Sequence, residues 1–310
     1  MSTRVAAIDC GTNSIRLLIA DPGPDGRLVD VVRDMRIVRL GQGVDRTGRL
    51  APEAIERTRE ALTEFAELID KHGTAAVRMV ATSATRDAAN RADFVAMVRA
   101  VLGADPEVIT GAEEAELSFT GAVAGLPGAV APVLVADIGG GSTELVLGDS
   151  GGGGPLRAHS MDIGCVRMTE RHLRSDPPTG AQVAATVADV RAAIAAAARD
   201  LPITAAATFV GVAGTVTTLA AIVQGLPAYD PVAIHGSTMA AGQVHDVTER
   251  LVAMTHEQRA ALPVMHPGRV DVIGGGAIVL RELVRATGVA EVVASEHDIL
   301  DGIALNLLPT

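Results

Sequence analysis

The sequence predicts an α/β fold built as two related domains. Three observations predict it. Short apolar runs rich in Val and Ile alternate with segments of helical period, as strands interleaved with helices do. A chain of 310 residues, 48% of them apolar, can bury two separate cores. One pattern, D-x-G-x-x-S-x-x-L, occurs twice: Asp9, Gly11, Ser14 and Leu17 match Asp137, Gly139, Ser142 and Leu145 at identical spacing, each time between two strand-like runs. A repeat at so long a distance marks two related domains rather than a solenoid. We place them at residues 1–126 and 127–310. The linker is GLPGAVAP, residues 125–132, and the last helix is placed to pack back on the first domain.

The elements follow in order. Residues 4–8 and 15–20 read as strands, with DPGPDG at 21–26 as a turn cluster before a third strand at 28–40. Residues 52–72 read as a helix: Pro52 suits its first turn, Ile55, Leu62, Phe65, Leu68 and Ile69 recur at helical spacing, and Gly73 ends it. A buried strand at 77–81, a helix at 89–102, a strand at 107–109 and a helix at 113–123 complete the first half. The second restarts with strands at 133–136, 144–147 and 156–160, GGGG at 151–154 serving as a flexible hairpin tip. A long alanine-rich helix covers 179–200. Buried strands are expected at 208–212 and 270–273, each running into glycines, and helices at 277–287 and 297–308.

Composition excludes several function classes. A net charge of −11 argues against a broadly basic nucleic-acid or membrane binder, so an anionic ligand must be held by a local site. Lys71 is the only lysine and lies in IDKHG, which rules out a Walker A loop. The two cysteines, Cys10 and Cys165, make no disulfide framework or CxxC pair. The N-terminus enters a strand pattern without the signature of a signal peptide, so the expected location is the cytoplasm. Residues 201–229 carry no charge, but Pro202, Gly211, Gly214 and Gly225 break them into a buried strand, a glycine turn and a buried helix rather than a membrane span. The eight histidines have no metal-ligand spacing.

The chemistry lies in the repeated turns. A turn poor in side chains exposes backbone N–H groups that can surround phosphate oxygens. A carboxylate beside them repels phosphate unless a cation lies between, so Asp9, Asp137 and Glu144 point to Mg²⁺, with Mn²⁺ as the substitute. The plain alternative is a structural hairpin whose Asp caps local N–H groups. Two copies heading two domains favour the metal-phosphate reading.

These residues carry a resemblance. Two D-x-G hairpins heading two domains resemble the actin / sugar kinase / heat-shock-70 superfold, whose two ribonuclease-H-like domains flank an interdomain cleft. Within it the chain is similar to the exopolyphosphatase / guanosine pentaphosphate phosphohydrolase family. The matching motifs are DCGTNSIRLLIA at Asp9, ATSATRDAAN at Ala81, ITGAEEAELSF at Ile109, VADIGGGSTELVLG at Val135, DIGCVRMTE at Asp162, GVAGTVTTLA at Gly211 and VIGGGAIVL at Val272, in family order.

The resemblance implies roles. Gly11, Thr12, Asn13 and Ser14 would bind phosphate from one domain, and Gly139, Gly140, Gly141, Ser142 and Thr143 from the other; Thr12 replaces the family's Ser and keeps the hydroxyl. Asp137 and Glu144, with Asp9, would hold Mg²⁺. Thr82, Ser83 and Arg86 are hydroxyl and guanidinium donors suited to phosphate; otherwise Arg86 pairs with Asp87 or a surface Glu. Asn90 is expected to cap the following helix. Glu113, Glu114 and Glu116 open a helix, where acidic residues are ordinary, yet the family places its proposed base there; alignment chooses Glu114, with Glu113 in reserve. Cys10 is a packing residue. The glycines of GVAGT and VIGGGA stay open between structure and ligand approach.

The implied activity is Mg²⁺-dependent removal of terminal orthophosphate from inorganic polyphosphate, with the 5′-phosphate of guanosine pentaphosphate (pppGpp) as the alternative. A sugar or acetate kinase of the same superfold and a non-catalytic polyphosphate sensor are the rivals. Many family members continue into a helical HD-type domain; this sequence stops at Thr310, so short chains are the expected substrates. The expected assembly is a homodimer, without nucleic acid or membrane.

Overall fold

The computed structural model describes residues 3–23, 26–126, 128–149 and 156–308. The GGGG segment at 151–154 and part of the DPGPDG turn lie outside them. Contacts divide the chain into a first unit, Met1–Ala124 with Ile299–Thr310, and a second, Gly125–Asp298.

In chain order the first unit holds β1 (Val5–Cys10), β2 (Ser14–Pro22), β3 (Leu28–Ile37), α1 (Val44–Thr47), α2 (Pro52–His72), β4 (Ala76–Ala81), α3 (Ser83–Asp87), α4 (Arg91–Leu102), β5 (Glu107–Val108) and α5 (Gly111–Ala124). Its sheet runs β3-β2-β1-β4-β5, antiparallel over the first three strands and parallel from β1 onward, which is the ribonuclease-H-like order. β1 is buried along its whole length, so its apolar run does not alternate with polar residues. The period of two still sorts its side chains. Ala6, Ile8 and Cys10 join a core with Leu62, Phe65 and Phe94 of α2 and α4, while Val5 and Ala7 join Leu117 of α5 on the opposite face. Gly73 ends α2 in the left-handed region (φ 63°) and donates to Ile69 O and Asp70 O.

The second unit holds β6 (Val133–Ile138), β7 (Thr143–Gly148), β8 (Arg157–Met161), α6 (Cys165–His172), α7 (Gly180–Ala197), β9 (Thr208–Val212), α8 (Ala213–Val223), α9 (Pro231–Ile234), β10 (Thr238–Ala240), α10 (Ala241–Ala253), α11 (His256–Ala260), α12 (Ile273–Thr287) and β11 (Glu291–Ala294). Its sheet, β10-β11-β9-β6-β7-β8, repeats the first with an antiparallel edge strand added. The chain returns to the first unit as α13 (Ile299–Leu305), shorter than the helix expected over 297–308.

One expected strand is absent. Residues 270–273 read as β because of the Val-Asp-Val-Ile run, but α12 begins at Ile273 and takes in all three following glycines. Helix contact decides this: a Cβ on Gly275 would lie 2.7 Å from Thr169 Oγ1 of α6, and one on Gly276 2.4 Å from Thr215 Oγ1 of α8. Those glycines serve close packing of three helices. Among the described residues no helix is long and apolar enough to cross a membrane.

Candidate active site

In the first unit the parallel strands end level: Cys10 registers with Ala81, and Ala81 with Val108. The segments that follow them gather at that edge, the usual ligand side of a parallel sheet. β1 runs into turn 11–14, closed by Gly11 N–H donating to Ser14 O at 2.9 Å. β4 runs into Thr82, whose N–H donates to Cys10 O at 3.2 Å, and into α3. β5 runs into Thr110 and α5. Thr12, Thr82 and Ser83 are buried there.

Arg86, in the last turn of α3, donates from Nη1 to Glu114 Oε2 at 2.9 Å and to Ile109 O at 3.1 Å. Arg86 thus has a glutamate partner, and the partner is Glu114, only 8% exposed on α5. Glu113 is engaged elsewhere. Its Oε2 accepts from Thr110 N–H (2.8 Å) and from the Thr110 hydroxyl (2.9 Å), closing the start of α5. Those bonds, the backbone one first, hold its carboxyl below the ordinary glutamate range. Asn90 stands at the start of α4 but its side chain does not cap that helix. It bonds Leu50 instead, accepting from the N–H at 2.8 Å and donating to the carbonyl at 3.1 Å.

The two hairpins differ at one register position. In the first, Asp9 lies opposite Arg16, which donates to Asp9 Oδ2 from Nη2 at 2.6 Å and from Nε at 3.0 Å. In the second, Asp137 lies opposite Glu144. Both are buried, at 6% and 1% exposure, and Glu144 Oε1 accepts from Ser160 Oγ at 2.7 Å. Like charges directly opposite on paired strands repel. The donor set is hard carboxylate oxygen, and among the described residues no group of three or more His, Cys, Asp or Glu could hold a metal. A cation there would fill its other positions with water and substrate oxygens, which is how Mg²⁺ is held. The fit is to Asp137 and Glu144. Asp9, grouped with them by the sequence pattern, carries a guanidinium.

The turns present donors. A trans peptide points its C=O and the following N–H in opposite directions. Gly139 O accepts from Cys165 N–H at 2.9 Å, and Gly140 O from Val166 N–H at 2.9 Å and Arg167 N–H at 3.1 Å. These carbonyls face the start of α6, so the N–H groups of Gly140 and Gly141 face away from it. In the first unit Thr12 O accepts from Gly41 N–H at 2.8 Å, and Asn13 O from Arg39 N–H at 2.9 Å and Val38 N–H at 3.1 Å, which turns the Asn13 N–H outward. Among the described residues none of these three N–H groups has a backbone acceptor. Thr143 is different: its hydroxyl is fully buried and gives its one proton to Ile163 O at 2.5 Å.

Register supplies what motif reading missed. Arg16 lies inside the DCGTNSIRLLIA motif without a role read from it, and Ser160 lies in none; the role of each is found by counting across a hairpin, Arg16 from Asp9 and Ser160 from Glu144. Cys10 is buried, and burial pushes its thiol well above the usual range, as suits packing. In GVAGT, Ala213 takes a left-handed φ of 66°, and a Cβ on Gly214 would lie 2.3 Å from the Arg269 guanidinium.

A model of the Ppx/GppA phosphatase family matches residues 19–310. The chain is 58% identical to exopolyphosphatase 2 of Mycobacterium tuberculosis, over 98% of both chains. The crystal structure of an exopolyphosphatase-like protein superposes with a TM-score of 0.93 at 46% identity, over 98% of this chain and 97% of that one. The Aquifex aeolicus member of the Ppx/GppA family superposes with a TM-score of 0.79 at 31% identity, over 98% and 96%. A family match over nearly the whole chain, together with a curated relative alike from end to end, places this chain in the Ppx/GppA phosphatase family.

Proposed function

We propose that this chain is an exopolyphosphatase, hydrolysing the terminal phosphoanhydride of inorganic polyphosphate to release orthophosphate. The observation that carries the reading is the buried Glu114 carboxylate fixed by Arg86 where three parallel strands end. An ionised carboxylate is an acceptor only, so it can orient a water and take its proton. Arg86 keeps a permanent positive charge beside it, suited to the charge that develops on a transferring phosphoryl group. The N–H groups of Asn13, Gly140 and Gly141, with Thr12, Thr82, Ser83 and Ser142, hold phosphate oxygens; those of Gly11 and Gly139 close their own turns on Ser14 O and Ser142 O.

Asp137 and Glu144 hold Mg²⁺, which supplies charge neutralisation along the phosphate chain when bound. Ser160 keeps one Glu144 oxygen in place. The two units are the enzyme's two domains. The enzyme acts in the cytoplasm as a homodimer, which light scattering of the purified protein tests. Guanosine pentaphosphate ends in the same type of bond and is the second substrate to offer.

The test is orthophosphate release with Mg²⁺ from short polyphosphate, long polyphosphate, pppGpp and ATP side by side. Release from polyphosphate that collapses in Glu114→Gln supports the reading. Release from pppGpp alone changes the substrate and keeps the chemistry. Binding of polyphosphate with no release from any substrate overturns it in favour of a sensor, and phosphoryl transfer from ATP to an acceptor in favour of a kinase.

A further inference from the structure

The two phosphate turns are braced at matching positions by segments unlike in sequence. After β3 and after β8 the chain returns to its own turn. In the first unit, Gly41 sits where a Cβ would come 2.3 Å from Thr12 Cγ2. In the second, Gly164 sits where a Cβ would come 2.4 Å from Gly140 O. Thr12 and Gly140 hold the same position in the repeat, three residues beyond Asp9 and Asp137. Both braces then donate to the turn's carbonyls, and the donors differ in kind at one position. Asn13 O takes two backbone N–H groups, from Val38 and Arg39. Its counterpart Gly141 O takes a side chain, Arg167 Nε, at 2.6 Å.

We propose that Arg167 is a positioning residue of the 139–142 turn, acting through the Gly141–Ser142 peptide. Its backbone N–H holds Gly140 O at 3.1 Å while its guanidinium holds Gly141 O, so one residue fixes two successive peptides. The side chain is 12% exposed, which keeps it in place. Fixing Gly141 O turns the Ser142 N–H to the opposite side, together with those of Gly140 and Gly141. A charged donor also polarises the peptide it binds and makes that peptide's N–H the better donor. The need is specific to this turn. Three successive glycines have the least intrinsic preference for one peptide orientation, and a flipped Gly141–Ser142 peptide presents a carbonyl to the anion. The first turn has Thr12 and Asn13 where this one has Gly140 and Gly141, and the backbone N–H groups of Val38, Arg39 and Gly41 hold its carbonyls.

The inference rests on the turn being the phosphate site proposed above, and the experiment separates the two. Tripolyphosphate binding is measured by calorimetry with Mg²⁺ in the Glu114→Gln background, where turnover does not deplete the ligand. Arg167→Ala raises the Kd about tenfold or more, Arg167→Lys falls between, and millimolar guanidinium recovers part of the affinity of the alanine variant alone. A merely structural role gives no such recovery. Equal Kd values within twofold, in a variant with an unchanged circular dichroism spectrum, overturn the inference. Should Arg167→Ala not fold, Arg167→Met, which keeps the side chain's bulk and removes the donor to Gly141 O, is read by the same thresholds. Orthophosphate release is followed separately in chains with Glu114 intact. If none is seen while the Arg167 dependence of binding holds, the exopolyphosphatase reading fails and this one stands.

Discussion

Glu114 and Glu113 are neighbours with different work, and the difference is set by which face of α5 each occupies. Glu113 is exposed and spent on Thr110; Glu114 is buried against Arg86. Replacing Glu114 by Gln keeps the volume and removes the base, so kcat falls about 10²- to 10⁴-fold with little change in KM, as read by orthophosphate release. The Asp137–Glu144 pair makes a second residue-scale prediction. Glu144→Gln removes one of two facing charges but keeps an oxygen for Ser160, so the Mg²⁺ needed for half-maximal rate rises about tenfold, one charged contact being worth roughly 1.5–3 kcal/mol. Asp9→Asn separates the two hairpins. It removes the charged acceptor that Arg16 bonds at Asp9, so the expected loss is in unfolding free energy, about 1–3 kcal/mol by urea titration, with the Mg²⁺ requirement unchanged. If Asp9→Asn shifts the Mg²⁺ requirement as Glu144→Gln does, the metal belongs to both hairpins.

At the scale of elements, the Thr110–Glu113 closure of α5 carries a pH signature. The carboxyl lies below its ordinary value of 4.5, because the Thr110 N–H and hydroxyl favour its ionised form. A depressed folded-state value gives stability that is present above the unfolded value and is lost as pH falls through the folded one. Glu113→Gln therefore lowers the melting temperature at pH 7, and the gap to the parent narrows as pH drops below about 4.5. A gap that persists into acid shows that the loss comes from packing rather than charge. The same element shows what could be read from sequence. Helical spacing and Pro52 delimit α2, whose observed bounds, Pro52–His72, are those expected. The β1 and β2 runs were legible because an antiparallel hairpin is local. The run at 270–273 misleads because its β-branched residues favour a strand, while the glycines after them answer to helices distant in sequence. Between residues 230 and 262, α9 and α11 are single turns and β10 is three residues long, too short for a period to show, whereas α10 carries Val244, Val247 and Leu251 at helical spacing and was legible though not expected. The site's motifs were legible as clusters. The pairings were not: that Arg16 meets Asp9, Ser160 meets Glu144 and Arg167 meets Gly141 O follows from register or from a return of the chain, which spacing along one segment does not encode.

For the whole molecule, the order of the chain makes the first unit depend on its last residues. Its sheet is built from β1 to β5, all before Ala124, but the face carrying Val5, Ala7, Leu18 and Ala20 is covered by α5 and by Ile299, Leu300, Ile303 and Ala304 of α13. Between them the chain makes the whole second unit. The closing contact is tight. Gly302 sits on α5 so closely that a Cβ would lie 2.0 Å from Leu117 O, a backbone atom that cannot rotate away. Asp301, beside it, is buried and receives Arg33 of β3 at 2.6 Å. Gly302→Ala must therefore push α13 off α5 and stretch the Arg33–Asp301 bond, at a cost of about 1–3 kcal/mol as for other overpacked cores. The second unit shares none of these contacts. Amide exchange accordingly separates two outcomes: faster exchange in β1, β2 and α5 with β6 and β9 unchanged, or faster exchange throughout. The first is expected, because the buried apolar clusters of the two units have no residue in common. The second would mean that the chain unfolds as one cooperative body. Orthophosphate release by the same variant then falls with the unfolded fraction of the first unit, because Arg86 and Glu114 are held only where β1, β4 and β5 end level.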